Sequence, residues 1–248
     1  MRFTAVGELL VDVLADGSGH DARIRVQPGG SAFNAAVTAT AAGAEATVVG
    51  AVGDDAAGRM IVAELRRRSV RCEVAVAEGT TGTFLLGGGE IRVDRGVSRS
   101  PLRLPERIVA DAVLVSGYLP AETLGAALAR SEAPWVALDA ARLGRLPPGG
   151  NALLANEESA RRLTGLEPED AARALAQGRR LACVTLGARG AVAVLDGSVE
   201  RVEPLATAAD SPGTGDTFAA ALLIALGRGA VLAAALREAA QAVLDSRA

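Results

Sequence analysis

The chain has 248 residues, half of them hydrophobic and only 2% aromatic, and a net charge of −3. Such a length can bury a full core, and one made of Ala, Val and Leu suits helices packed tightly on a parallel sheet. Without a block of like charges, a long apolar run or a signal-peptide layout in MRFTAVGELL, the sequence argues against nucleic acid, a membrane span and export.

Two scarcities narrow the chemistry. All 26 basic residues are arginine, which excludes a P-loop lysine and a Schiff-base lysine. The one histidine, His20, rules out a zinc site built from histidines and lies in a Gly/Ser/Asp-rich turn, where it reads as a loop residue. Cys72 and Cys183 are isolated in apolar sequence and read as buried, reduced thiols of a cytoplasmic protein. Catalysis must then rest on carboxylates, hydroxyls, arginines, backbone amides and a metal.

Phe3–Val6 and Leu9–Val13 read as one strand passing through Gly7-Glu8, with Asp12 near its end. Binding sites of α/β sheets gather at carboxyl ends of strands, so Asp12 is a candidate for gripping ligand hydroxyls, or else a plain strand-end residue. After the short strand Ile24–Val26, Pro28-Gly29-Gly30 makes a turn and Ser31 is placed to cap a helix. Asn34 falls in the first turn of that helix, where its amide can both donate to and accept from vicinal hydroxyls, or cap locally. Ala46–Gly50 is a strand, and Asp54-Asp55 read as caps of helix Arg59–Arg68.

Cys72–Ala77 and Thr83–Val93 alternate in β fashion around the turn Gly87-Gly88-Gly89. They predict a small β flap over about residues 72–97, joined by 9–26, within a single domain spanning 1–248. Arg95 sits where the flap rejoins the body, placed to reach an acidic substrate group or simply solvated. From Ala112 a strand–helix rhythm returns: strands Ala112–Val115, Trp135–Leu138 and Ala152–Leu154, helices Ala121–Arg130, Glu157–Leu163 and Pro168–Gln177. Strand Leu181–Thr185 runs into Leu186-Gly187-Ala188-Arg189-Gly190, a backbone cradle suited to phosphates, and then into strand Ala191–Leu195.

The stretch Asp210-Ser211-Pro212-Gly213-Thr214-Gly215-Asp216 leads into an Ala/Leu-rich helix, Thr217–Leu226, before a last helix Ala230–Leu244. Gly213, Thr214 and Gly215 fall where the first N–H groups of a helix lack partners, and the helix dipole adds positive potential there. Asp216 places a carboxylate beside that anion hole. The pair suits phosphoryl transfer: amides hold the phosphate while the carboxylate takes a proton from the attacking hydroxyl.

PGGSAFNAAVTATAAGAEATVVGAVGDDAAG, Asn156-Glu157-Glu158 before ARRLTG, TLGARG and DSPGTGDTFAAALL together resemble the PfkB, or ribokinase-like, family of sugar and nucleoside kinases, over about residues 1–240. The resemblance implies an α/β three-layer sandwich: a mostly parallel sheet, helices on both faces and a β-flap lid. It implies Asp216 as general base, Gly213, Thr214 and Gly215 as anion hole, and Asp12, Gly29, Gly30, Asn34 and Arg95 on the acceptor. It puts Asn156, Thr185, Gly187, Ala188, Arg189 and Gly190 on the nucleotide. ATP and Mg²⁺ follow, with Glu158 reaching the metal through water and Asp210 shaping a loop for K⁺. The partners expected are a small sugar or nucleoside and a second copy of the chain paired through the lid.

GELLVD followed by PGGSAFNAA looks more like fructokinase and keto-deoxygluconate kinase relatives than like ribokinase. A sugar acid would want Arg95 or Arg142; a nucleoside would want an apolar slot, for which Phe33 and Tyr118 are the candidates. Three features depart from the family. Ser159 stands where N-x-x-E carries its acid, which implies weak Mg²⁺ affinity. Asp139-Ala140-Ala141-Arg142 stands for D-x-N-x-R, and the chain stops soon after its last helix. These departures motivate an alternative, a degenerate member that only binds its sugar or nucleoside.

Overall fold

Nine strands share one sheet, and its central strands are apolar on both faces, as strands covered from both sides require. The computed structural model describes residues 1–17, 19–203 and 213–246. The first half runs β1 (Arg2–Val6), β2 (Leu10–Asp16), β3 (Arg23–Gly29), α1 (Ser31–Ala41), β4 (Glu45–Gly53), α2 (Ala56–Arg67), β5 (Arg71–Ala77), β6 (Thr81–Gly87) and β7 (Glu90–Gly96). Next come β8 (Ile108–Val109), β9 (Ala112–Ser116), α3 (Ala121–Arg130), β10 (Ser131–Glu132), β11 (Trp135–Asp139) and β12 (Ala152–Asn156). The chain continues through α4 (Glu157–Thr164), α5 (Pro168–Leu175), β13 (Leu181–Thr185), β14 (Ala191–Leu195), β15 (Ser198–Val202), α6 (Thr214–Gly227) and α7 (Leu232–Asp245).

The large sheet has the order β15-β14-β13-β12-β11-β9-β1-β4-β5. It is parallel from β5 through β13; β14 runs against the other strands and pairs antiparallel with both β13 and β15. Alternation along the strands sorts the two faces. Phe3, Ala5, Ala112, Leu114, Trp135 and Ala137 meet α1, α2, α6 and α7 in one core. Val6, Val113, Val115, Val136 and Leu138 meet α3, α4 and α5 in the other. This is the α/β three-layer arrangement expected. Among the described residues no helix is long and apolar enough to cross a membrane.

Helix α6 is buried at every position from Thr217 to Leu226, since the sheet, α1 and α7 close around it. Small residues let α1 come close: Ala35, Ala36 and Ala39 are fully buried. The chain begins in the middle of the sheet, with β4 on one side of β1 and β9 on the other. Strand order reverses there, and a crevice opens at the carboxyl ends of β1 and β9.

A second sheet, β3-β2-β6-β7, covers this end of the molecule. Its boundaries differ from the expectation in two places. Arg71–Ala77 pairs with β4 from Thr47↔Arg71 to Gly53↔Ala77, so the stretch from 72 belongs to the large sheet and the small one starts at Thr81. An alternating strand looks the same in sequence whether it edges a large sheet or forms a flap. Residues 3–13 are likewise two strands: β1 ends at Val6, and the chain crosses to the small sheet at Gly7–Leu9. Asp55 anchors the crossing back. It caps α2 through Gly58 N (2.7 Å) and also accepts from Thr81 N (2.7 Å) and Thr81 Oγ1 (2.6 Å). The hairpin turn is Gly88-Gly89, both at positive φ, as a two-residue turn between right-twisted strands requires.

Ala141 follows β11 with φ 37, a left-handed conformation that costs an L-residue about 1–2 kcal/mol. Its neighbours hold it there: Ala141 N donates to Asp139 Oδ1 (3.1 Å), and its carbonyl accepts from Ser159 Oγ and Arg162 Nη2 (2.9 Å). Ala141→Gly should therefore raise the unfolding free energy by about 0.5–1 kcal/mol, after the entropic cost of glycine. Urea unfolding reads this; a loss of stability would show that Ala141 carries no strain.

Candidate active site

Gly213 opens α6 at φ 83. A Cβ there would lie 2.6 Å from Asn34 Nδ2, so both the backbone angle and the close approach call for glycine. Thr217 N makes the first helical bond, to Gly213 O (3.0 Å). The N–H groups of Gly215 and Asp216 lie in the first turn ahead of it, where no intrahelical carbonyl reaches. Among the described residues, nothing lies within 4 Å of a Cβ built on Gly215.

Asp216 projects from the same turn and accepts from Asn34 Nδ2 at 3.1 Å. A second bond, Thr38 Oγ1 to Thr217 Oγ1 (3.3 Å), ties the same two helices one turn further in. Gly30 precedes α1 at φ 95, where a Cβ would stand 2.5 Å from Glu8 O. The turn that starts α1 is thus pressed onto the end of β1. Asp12, on β2, is 7% exposed, and a Cβ on Gly29 would overlap its carboxylate. Asn34 thus meets Asp216 directly and the charge of Asp12 acts on it, while Gly29 lies against Asp12 and Gly30 against Glu8. Ser31 differs: Gly30 occupies the cap position without a side-chain bond. Among the described residues, Ser31 Oγ is one of two buried side-chain atoms without a hydrogen-bond partner.

Arg95 is not simply solvated. At the end of β7 it pairs with Glu8, which is 2% exposed, and lies over the Tyr118 ring at 4.4 Å from its centroid. Glu8 belongs to the crossing from β1, and Tyr118 follows β9. The ion pair and the stack together fasten the small sheet to the body.

The other predicted group lies further along the same edge. Asn156 ends β12 and Thr185 ends β13, directly paired in register. Asn156 Oδ1 caps α4 by accepting from Ser159 N at 2.8 Å, which leaves its amide nitrogen on the exposed side. Gly187–Arg189 form one 3-10 turn closed by Leu186 N to Gly190 O (2.8 Å). Arg189 pairs with Glu157 and draws this exposed turn towards Asn156. Glu158 is 83% exposed and bound by Arg162 Nη1 at 3.2 Å. Ser159 is 1% exposed and engaged with Ala141 O and Arg162 Nη2. It faces into the fold rather than lying open. Asp210 lies outside the described residues.

Sequence reasoning passed over Glu8 and Asp139. Glu8 is a lone acid inside the apolar run AVGELLV, and Asp139 ends WVALD; Asp12, expected near a strand end, lies instead in the first half of β2. Asp139, Asp216, Ser31 and Ser116 line one small cavity under the crevice. Withdrawal from water pushes several of these acids up. Asp216 rises to about 7, chiefly by burial and then by the charge of Asp139, against the opposing bond from Asn34. Asp139 and Asp12 each rise to about 6 through burial. Glu8 is also raised, because burial outweighs Arg95. A carboxylate near 7 is a far better base than an ordinary aspartate.

These shifts have a cost with a definite sign. The folded chain holds protons on Asp12, Asp139 and Asp216 that the unfolded chain releases near pH 4. The stability they contribute is complete below about pH 4 and is lost as pH rises through 6 to 7. Asp216→Asn removes the largest of these penalties and can keep the bond from Asn34 Nδ2. The variant should be more stable than the parent at pH 8 by on the order of 2 kcal/mol, at about 1.4 kcal/mol per pKa unit, and no more stable near pH 4. Thermal unfolding across pH reads this; equal stabilities at pH 8 would mean that Asp216 is not raised.

The pfkB family carbohydrate kinase model matches residues 2–96 and 110–244. Among solved structures, the ribokinase of Arabidopsis thaliana with ribose and ATP is 23% identical, with a TM-score of 0.81 over 100% of this chain and 93% of that one. The fructokinase of Vibrio cholerae O395 with fructose, ADP and calcium is 22% identical, with a TM-score of 0.79 over 96% and 90%. The ribokinase of Thermotoga maritima is 20% identical, with a TM-score of 0.79 over 97% and 91%. These likenesses establish the fold, and the family match extends over both halves of the chain: the protein belongs to the pfkB family of carbohydrate kinases.

Proposed function

We propose that the protein transfers the γ-phosphoryl group of ATP to a primary hydroxyl of a small sugar, with Asp216 as the general base. The observation that carries this reading is the placement of Asp216. Its carboxyl stands in the first turn of α6, oriented by Asn34 and raised to about 7. As Asp216 takes the hydroxyl proton, the oxygen attacks the γ-phosphorus, and the amides of Gly213, Thr214 and Gly215 stabilise the charge on the transferring group. Asp12, Gly29, Gly30 and Asn34 hold the other hydroxyls. Of the acceptors the sequence admits, a sugar, a sugar acid or a nucleoside, the uncharged sugar is favoured because Arg95 is already committed to Glu8; a sugar acid would have to turn to Arg142, whose charge acts on Glu8 and Tyr118. A fructokinase-like acceptor agrees with that.

Asn156, Thr185 and Gly187–Gly190 take the phosphates of the nucleotide. Among the described residues no three His, Cys, Asp or Glu side chains converge on a point. That suits Mg²⁺, which keeps most of its waters and binds mainly through phosphates; Asn156 and Glu158 would hold it through water, and bound there it neutralises charge on the phosphates. Asp210 would shape the loop for K⁺. The small sheet acts as a lid that excludes water, and fastening it through Glu8–Arg95–Tyr118 keeps hydrolysis of ATP low. Its outer side supports a homodimer. Ile24, Val26 and Leu85 are 63%, 55% and 37% exposed, and Val26 and Leu85 flank Val13 on one face of the sheet. A protein of this kind works in the cytoplasm, where ATP is held.

The inward-facing Ser159 favours a second reading, a family member that binds sugar without turning over ATP. Coupled ADP release across a panel of sugars, sugar acids and nucleosides decides between them. Asp216→Asn should keep sugar binding and lose on the order of 10²–10⁴-fold in kcat; turnover within a few-fold of the parent removes Asp216 from its role.

The environment of position 159 sets a further expectation. A glutamate introduced there meets the Arg162 guanidinium, which stands 2.9 Å from Ser159 Oγ. Ser159→Glu alone should leave the half-saturating Mg²⁺ concentration within about two-fold, because charge pairing with Arg162 consumes the new acid. The double variant with Arg162→Ala should lower it several-fold. Rate against free Mg²⁺ at saturating ATP and sugar reads both, and tightening by the single variant would contradict this account.

A further inference from the structure

The cavity beneath the crevice is lined by Ala5, Val6, Ser31, Ala32, Ala35, Leu114, Ser116, Asp139 and Asp216. Five of these nine residues are apolar alanine, valine or leucine, yet two carboxyls and two hydroxyls turn into it. Its volume is about 10 Å³, close to the room one water needs. Asp139 reaches it from the end of β11 and uses one oxygen, Oδ1, to accept from Ala141 N at 3.1 Å. Asp216 reaches it from α6 and uses Oδ2 to accept from Asn34. Each carboxyl therefore keeps one oxygen clear of those bonds, and Ser31, whose buried hydroxyl has no partner among the described residues, shares the lining with them.

We propose that Asp139 is a positioning residue for the base: its carboxylate lines the same cavity as Asp216, and the repulsion between the two charges makes Asp216 the readier to take a proton from a sugar hydroxyl. Two carboxylates lining one small cavity, away from bulk water, resist ionising together. With Asp139 behind it, an ionised Asp216 carries repulsion that disappears when it accepts the substrate proton. That relief grows as the proton arrives, so it favours the transition state over the bound ground state. The proton balance is simple. The hydroxyl proton moves to Asp216 as the new O–P bond forms and the bond from γ-phosphorus to the leaving oxygen of ADP breaks; Asp139 gains and loses nothing in the step. The other charged groups around Asp216 are Glu8 and Asp12, both of which raise it less than Asp139 does, while Asn34 opposes them. Tyr118 stands near the same pair and is raised by burial and by both carboxylates.

The inference rests on Asp216 being the base, and the test separates the two. Carboxyl ¹³C signals of labelled aspartates are followed against pH in the substrate-free protein, with Asp216 assigned by its loss in Asp216→Asn. In the parent, the Asp139 and Asp216 signals should each respond to the same two titration steps, as coupled sites do. In Asp139→Asn, which can still accept from Ala141 N, the Asp216 midpoint should fall by one pH unit or more. On any sugar that is turned over, the acid limb of kcat/KM should fall with it, and the kcat plateau should drop several-fold as the base weakens. Single, independent curves in the parent would overturn the proposal even if the variant failed to fold. So would an unmoved Asp216 midpoint, or a variant that loses thermal stability without shifting the limb. If the midpoint moves and no sugar is phosphorylated, the carboxyl pair stands and the kinase reading falls.

Discussion

The hydrogen bond from Asn34 Nδ2 to Asp216 Oδ2 is the interaction on which the site depends. It joins the first turns of two helices, α1 and α6, that come from opposite ends of the chain, 182 residues apart. Neither helix could hold that relation alone. Alanines let α1 lie close to α6, and α6 is enclosed on every side, so its axis has little freedom to tilt or slide. Close packing thus fixes two helix N-termini side by side, and the amide of Asn34 selects which oxygen of Asp216 is left for chemistry. Gly213 is the backbone counterpart of that constraint, since a side chain there would strike Asn34, and Gly30 likewise lets the start of α1 press onto Glu8.

Around this bond the charges are arranged at some cost. Glu8, Asp12, Asp139 and Asp216 all face the same end of the sheet, and burial raises each of them. A fold selected for stability alone would disperse them or pair each with an arginine. Here only Glu8 gains an arginine, and that pair spans the junction between the two sheets. The remaining acids stay without an arginine on the side of the crevice, an arrangement that would suit the proposed role of Asp216 as a base near neutral pH.

The phosphate recognition proposed above would be built on different physics. Asn156, Thr185 and the Gly187–Gly190 turn present backbone amides and small polar groups at neighbouring strand ends, with lysine wholly absent from the chain. The link between the two halves of the site runs through Ala141. Its turn is held by Asp139 on one side and by Ser159 and Arg162 on the other. Ser159 thereby serves as a structural brace at a position where the family pattern carries an acid.

Much of this was legible in the sequence. The Gly-Thr-Gly-Asp turn into an apolar helix, the Pro-Gly-Gly turn before Asn34 and the strand–helix rhythm after Ala112 are local patterns, and local backbone physics is enough to read them. They are enough to read the fold class and to single out Asn34 and Asp216, which the fold brings into contact. What the sequence could not decide were the pairings made over distance. An alternating strand such as Arg71–Ala77 carries no mark of which sheet it joins, because alternation records only that one face is covered. Arg95 gives no sign of a buried partner 87 residues away, and Asp139 gives none of the carboxyl it meets. Those outcomes depend on which surfaces come together when two layers of helices close over one sheet, and only the tertiary structure brings them together.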